Sequence, residues 1–465
     1  MKKSKQNDVS LKPKNKLGYI DPSVVGIDIG SQLIHVSVWD LACGVVVREF
    51  GTTTPDLIKI IELMKTHGAT TGVMEATGVY WVPLYELLED AGLKSVLVDA
   101  KSVKNVPGRK TDVQDCQWIQ TLYSNGLLRA AFRPPRDRLK LRSFVRQRQN
   151  VIKTKQVALL HMEKALQLMN IKLSVAVSDI GGVSGMDIIR AIVKGERDPV
   201  KLAKLRNRQC KKSLETFIAA LTGNFQEDHL FALKQALDLY DFAFKQLDEC
   251  DKKILAELES YPDVVNTPPP KRDKDRKQNG KYASAKKPHK NGYSFNIQEV
   301  LWRKSGIDLT ALTGFEGNTA MLVFSELGGA DVSAWSNVKE FSSWLKLCPG
   351  NNISGGKRRK SKKQPCANYI SQALRMASLA AKKSHTYMGA HIRRVCGRTD
   401  KPKGIKAGAH KIAHQLYYMC KHGWEYHEKG EDHYERTHKE KVINNLKRKA
   451  RENGYVLVPI QQQAA

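Results

Sequence analysis

Apolar and β-branched residues come in three short runs near the N-terminus, Val24–Ile29, Leu33–Trp39 and Gly44–Phe50, joined by Gly-Ser and Ala-Cys-Gly turns. Runs of this length bounded by turn residues predict strands. Two helical patterns follow, at Asp56–Met64 and Tyr80–Asp90, alternating with shorter β-branched runs at Thr71–Met74 and Ser95–Val98. A further helix is predicted from Asp112 to Tyr123. Three strands with tight turns, then alternating helix and strand, predict a mixed sheet with helices on its faces.

That order of elements is the order of the ribonuclease-H-like fold. It assigns residues 21–135 to an α/β, RuvC-like domain behind a basic tail at 1–20. From Arg136 to about Asn170 the period changes: Val145, Ile152, Leu159 and Leu166 recur every seven residues, as in a coiled-coil seam. A second heptad stretch runs from Glu227 to Ser260, with Leu233, Tyr240, Leu247 and Ile254 at one position and Leu237, Phe244 and Leu258 at most of the other. The helical, coiled-coil region 136–265 can therefore close as a hairpin within one chain or as a seam between two. Residues 266–293 lack apolar periodicity and are rich in Pro, Lys and Gly, which predicts a flexible basic linker. A mainly α domain is expected at 294–400. A basic extension, 401–465, carries more helices and a short final strand at Tyr455–Ile460.

Composition narrows the partners. The chain of 465 residues has 77 Lys+Arg against 47 Asp+Glu, a formal charge of +30. Such an excess points to a polyanion. At 41% hydrophobic the chain is an ordinary globular one, and no apolar run approaches the roughly 18 residues needed to span a bilayer. The Lys-rich N-terminus has no apolar stretch behind it, which argues against a signal peptide. Eight Cys without a C-x-x-C pair suit a reducing cytoplasm. The charge is also unevenly spread. Residues 17–100 carry 4 Lys+Arg and 11 Asp+Glu (net −7), 101–150 carry 12 and 3 (net +9), and 351–400 carry 12 and 1 (net +11). Acidic surface repels phosphate, so the first segment calls for a use of its carboxylates, and a bound cation supplies one.

Four of those acids stand out. Asp28 lies among apolar neighbours in V-V-G-I-D-I-G, where a lone charge costs several kcal/mol unless it is paired or binds metal. Glu75 closes the strand G-V-M. Asp112 and Asp115, three apart at a helix start, share one face. Helix capping accounts for Asp112 but not for Asp28. In the expected fold the four can meet as an oxygen cage for Mg²⁺, or Mn²⁺ in its place. Lys110, just before the pair, is a candidate phosphate contact.

A second constellation lies far downstream. The turn L-T-G-F-E-G-N-T-A at 312–320 places Gly314 and Gly317 between helices, as in a helix-hairpin-helix whose backbone N–H groups hold phosphate. Then Ser354 is followed by Gly355, Gly356 and the basic residues Lys357, Arg358, Arg359, Lys360, Lys362 and Lys363. On composition alone this is a solvated basic loop with an ordinary turn serine. Residues 341–399 contain no acid, so a serine nucleophile there needs its base or metal from elsewhere.

Taken in order, G-I-D-I-G, M-E-A-T-G-V-Y-W, K-T-D-V-Q-D, G-F-E-G-N-T-A…S-E-L-G and S-G-G-K-R-R resemble the DEDD-type insertion-sequence transposases, the family of the Piv pilin-gene invertases and the bridge-RNA-guided recombinases. The resemblance covers residues 24–135 and 309–384 well and the helical middle only in character. It implies a site-specific recombinase in a bacterial or archaeal cytoplasm, associated with the nucleoid. Asp28, Glu75, Asp112 and Asp115 would be its Mg²⁺-binding tetrad, and Ser354 its nucleophile, forming a phosphoserine link to DNA. It further implies donor and target DNA, a structured guide RNA, and a homodimer or homotetramer in which the metal site of one subunit serves the serine of another. Many relatives have two serines before Gly-Gly; Ile353 takes the first place here. The segment 266–292 and the tail also exceed the usual family length.

Other readings rank lower. A metal-dependent junction nuclease needs only the tetrad and ends with hydrolysed DNA. A packaging protein needs neither constellation. G-I-D-I-G-S also resembles a sugar-kinase phosphate loop but lacks its companion motif. His410, His414, His422, His427, His433 and His438 cluster with Cys420 at spacings that match no standard zinc site. Tyr80, Trp81 and Trp118 read as core rather than as base-stacking platforms.

Overall fold

The computed structural model describes residues 9–10, 20–76, 78–99, 112–270, 291–348, 352–355, 357–359, 368–423 and 429–458. The chain divides into two compact units, 1–133 and 134–465.

The first unit is built on one sheet with strands β1 (Val9–Ser10), β2 (Val24–Ile29), β3 (Leu33–Asp40), β4 (Gly44–Gly51), β5 (Thr71–Glu75) and β6 (Lys94–Val98), in the order β1-β4-β3-β2-β5-β6. β2, β3 and β4 form an antiparallel meander. β5 and β6 add in parallel on the other side of β2. The short β1, unforeseen inside the basic tail, pairs with Val46 and Val47 on the edge. Strand alternation separates two apolar layers. Val25, Ile27 and Ile29 pack with Ile60, Met64, Leu84 and Leu88 of helices Thr54–Thr66 and Trp81–Asp90. Val24, Val73, Val96 and Val98 pack with Ile119 and Leu122 of helix Asp112–Ser124 on the opposite face. This is the ribonuclease-H-like arrangement.

In the second unit two 33-residue helices, Arg136–Leu168 and Glu227–Glu259, pack along each other. The heptads therefore close within one chain. Between them, helices Leu173–Ala176, Val183–Val193, Pro199–Lys204 and Leu214–Leu221 surround a core that includes Met162, Ile188, Phe217 and Leu237. The seam is not wholly apolar. Arg148 and Lys155, seven apart, occupy the position left without an apolar repeat in the first helix, and Asp251 falls between Phe244 and Leu258 in the second. Phe244 itself is 56% exposed. Arg148 is 2% exposed and Asp251 4%. The Arg148 guanidinium donates to the Asp251 carboxylate, to the Asn318 amide and to the carbonyls of Asn291 and Gly292. It also lies 3.6 Å from the Tyr293 ring centroid, while the other Asp251 oxygen accepts from Ser294 N at 2.9 Å.

A buried pair of this kind is costly to break and cheap to replace. Arg148→Met should lose about 3–5 kcal/mol of stability by stranding Asp251, and Arg148→Met with Asp251→Leu should regain most of it. Chemical denaturation of the three proteins checks this, and equal loss in single and double variants would contradict it.

The rest of the unit is mainly α. Helices Ile297–Ser305, Gly317–Leu327, Val338–Trp344, Tyr369–Ala381 and Tyr387–Arg398 come first. Glu326 ties this group to the long helix through a bidentate pair with Arg146 (2.6 and 2.9 Å) and a contact to Arg142 at 2.9 Å. Helix Lys401–His422, which the sequence assigned to an extension, belongs to the same packed group. Ile412, Leu416 and Tyr417 are buried, and the Tyr417 hydroxyl donates to Trp335 O at 3.0 Å. Gly408 lies so close to Ser378 and Ile392 that a Cβ would collide with both. A last helix, Gly430–Glu452, follows. The strand expected from Tyr455 is absent over 455–458: these apolar residues are exposed and pair with no other strand among the described residues.

Candidate active site

The central strands β2 and β5 set the first half of the site. Their parallel register runs Val24–Thr71, Val25–Gly72, Gly26–Val73 and Ile27–Met74. The next step places Asp28 beside Glu75 at the C-terminal edge of the sheet. By strand alternation both share the face of Gly26 and Val73, the face covered by helix Asp112–Ser124. Both side chains are half-buried. Neighbouring carboxylates repel, and a cation between them relieves the repulsion.

Three contacts fix the helix over this edge. Gln120 Nε2 donates to Val24 O at 2.7 Å, and the Ser37 hydroxyl donates to Cys116 O at 3.0 Å. Gly26 lets the backbones meet, since any Cβ there would collide with Cys116 O. Gln120 thus sits over residue 24 and Cys116 over residue 26. Four helical residues advance about 6 Å and two strand residues about 6.6 Å, so the same alignment carries the helix start toward Asp28. Asp115 lies in this first turn and is half-buried. Asp112 is the first helical residue, but its side chain lies outside the described residues. Burial, followed by the charge of Asp28, pushes the Cys116 thiol up to about 12. It is therefore a neutral thiol at pH 7.

The donor set is all carboxylate, the oxygen chemistry suited to a hard divalent cation. Among the described residues no three His, Cys, Asp or Glu side chains are close enough together to hold a metal. Asp28, Glu75 and Asp115 alone thus make no finished cage. Beside Asp28 a cleft of about 250 Å³ is lined by Gly30, Ser31, Gln32, Leu33 and His35. His35 pairs directly with Asp28 across the β2–β3 hairpin, and its Nε2 is 3.4 Å from a Glu49 oxygen. The sequence reading missed it. Counting outward from the Gly30–Leu33 turn would have found it, because Ile29–Ile34 and Asp28–His35 are successive couples.

The serine segment is a hairpin rather than a loop. Strands Asn352–Ser354 and Lys357–Arg359 are antiparallel, with Ser354 opposite Lys357 and Ile353 opposite Arg358. The two-residue turn begins with Gly355 at φ +57°, a conformation that favours glycine and suits a tight hairpin. Gly355 is exposed. Upstream, Lys406 Nζ reaches Cys348 O at 3.5 Å. Gly314, at φ +83°, packs against the backbone of Ala377, and Gly317 begins helix Gly317–Leu327 against Ile297. Both glycines thus have packing reasons of their own. Lys110, Gly356, Lys360, Lys362 and Lys363 lie outside the described residues.

Residues 25–171 match the DEDD transposase family model of IS110 type, described as Transposase, and residues 308–393 match the Transposase IS116/IS110/IS902 family. The chain belongs to the IS110 family of transposases. The transposase carries the four acids within the first matched segment and Ser354, Gly314 and Gly317 within the second. Its substrate is therefore DNA. A search of the curated proteins returns no match. No described helix of the transposase is long and apolar enough to cross a membrane. Of the histidines in its C-terminal part, His410 and His414 lie on one helix with ring centroids 4.4 Å apart and planes tilted by 51°, and burial holds both below the usual imidazole range. His427 lies outside the described residues.

Proposed function

We propose that this transposase cuts and rejoins DNA through a phosphoserine intermediate at Ser354, assisted by a divalent cation, Mg²⁺ or Mn²⁺, at the four acids and directed by a structured RNA. The observation that carries the reading is the register of β2 and β5, which sets Asp28 beside Glu75 under the helix that brings Asp115 and Asp112. A cation held by these carboxylates would neutralise charge on the phosphate undergoing displacement.

The serine hydroxyl attacks phosphorus, its oxygen forms the new P–O bond, and one deoxyribose hydroxyl leaves with a proton. A second DNA hydroxyl later attacks the phosphoserine and restores the serine. The phosphodiester energy is kept, so no external energy source is needed. Residues 341–399 contain no acid, so a carboxylate that takes the Ser354 proton would come from outside them. The carboxylates of the tetrad, from the same or another subunit of a dimer or tetramer, are the proposed source. Basic side chains of the hairpin hold the phosphate.

Two measurements test this. DNA carrying both sites, incubated with the full chain, Mg²⁺ and RNA, should yield exchanged molecules; hydrolysed ends alone would favour the junction-nuclease reading. RNA that co-purifies with the protein should be one structured species encoded beside the gene. Random cellular RNA would overturn guidance.

A further inference from the structure

The last helix, Gly430–Glu452, begins 37 residues beyond the end of the second family match and divides into two unlike halves. Its first turns are docked. Glu431 accepts from Arg393 and His385, Glu435 pairs with Arg394 at 2.7 Å, and buried Tyr434 packs edge-on against Tyr387 and His391. Two of the five acids of the helix, Glu431 and Glu435, are thus engaged by the domain beneath. From Lys439 to Lys449 every residue is exposed, and residues 441–451 contain five basic side chains and no acid.

These charges are also ordered. Lys441 and Arg448 are seven apart, Arg448 and Arg451 three, and Lys447 and Arg451 four, so the four share one side of the helix. Val442, Ile443 and Leu446 take the other side. Arg448 is paired with Glu452 at 2.7 Å on the exposed surface, a contact of small worth. Lys441, Lys447 and Arg451 have no carboxylate partner among the described residues. Compensation of the helix dipole accounts for basic residues in the last turn only, which leaves Lys441 and Lys447 without that explanation. Nor does packing explain the segment, because an undocked helix of this length is marginal in water.

We propose that residues 439–452 form a basic arm that grips the phosphate backbone of duplex DNA outside the reacting site. The basic face from Lys441 to Arg451 is about 15 Å long, and B-DNA carries one charge per roughly 1.7 Å of axis, so the arm can engage several phosphates at once without reading sequence. Duplex DNA is the occupant because the transposase acts on it. The proposal rests on that assignment and not on the serine, the metal or the guide.

The test is a full-length variant with Lys441, Lys447, Arg448 and Arg451 all changed to Gln, which preserves helix propensity. Its affinity for mixed-sequence duplex DNA, followed by fluorescence anisotropy over a salt series, should fall roughly 10- to 100-fold near 0.1 M salt. The dependence of log K on log salt should become shallower by about 2–4 units. Strand exchange at saturating DNA should persist, which separates this proposal from that of the active site. Circular dichroism confirms that the helix is retained, and Val442→Gln with Leu446→Gln should bind DNA as the parent does. Unchanged affinity and slope would overturn the proposal. So would a loss confined to structured RNA, or an equal loss from the apolar-face variant.

Discussion

Asp28→Asn should abolish strand exchange, lowering its rate by at least about 10³-fold, or roughly 4 kcal/mol of transition-state stabilisation. The substitution keeps the shape of the side chain and removes its charge. β2 should stay in place, because its neighbours Ile27 and Ile29 remain buried and its pairing to β3 and β5 uses backbone only. DNA binding should be retained, since the basic segments lie elsewhere in the chain. Glu75→Gln should match it, because the register sets the two carboxylates side by side. The measurement is a recombination assay with purified protein across a Mg²⁺ series, with circular dichroism as the control for folding. Exchange at more than a tenth of the parental rate would remove Asp28 from the chemistry.

Much of this site was legible in the sequence because strands announce themselves by period and length. The runs at 24–29 and 71–74 predict strands of one mixed sheet, with Asp28 and Glu75 at their C-terminal ends; that the two strands are parallel neighbours is seen only in the structure. The helix over this sheet edge was legible by its pattern, but its seating was not. Gly26, Ser37 and Gln120 have no signature until the backbone contact at Cys116 is seen. In the second unit the seam was half visible. Val145 and Leu166 keep the heptad, whereas Arg148, Lys155 and Asp251 interrupt it, and polar residues at seam positions are legible only through their partners. The Ser354 hairpin was hidden for a different reason. Its strands are three residues long and carry mostly polar side chains, so the Gly-Gly turn was the sole hairpin signal. Tyr455–Val458 shows the converse: a β-branched run becomes a strand only where another edge receives it.

Ser354→Ala is the second large effect. Removing one oxygen from the turn-flanking position should leave the hairpin intact, since the Gly355 turn and the backbone pairing to Lys357 do not use the hydroxyl. Exchange should nevertheless fall to background, because residue 353 is Ile and no second serine adjoins the Gly-Gly turn. Ser354→Cys should retain at most a small fraction of the rate. DNA affinity should stay within about twofold of the parent, as the phosphate contacts are charge-based and remain. A Ser354→Ala variant that binds and recombines normally would place the nucleophile elsewhere. One that hydrolyses DNA at the parental rate without joining it would support the nuclease reading.

The central claim is a covalent bond between this chain and DNA, and trapping it is the most direct measurement. The full-length protein would be incubated with DNA nicked next to the scissile phosphate, so that the leaving strand diffuses away, and then denatured and digested. Mass spectrometry of the peptides should locate a nucleotide on Ser354, in an adduct that forms with Mg²⁺ and disappears in both Ser354→Ala and Asp28→Asn. Cleaved DNA without an adduct, or an adduct on a residue other than Ser354, would contradict the account.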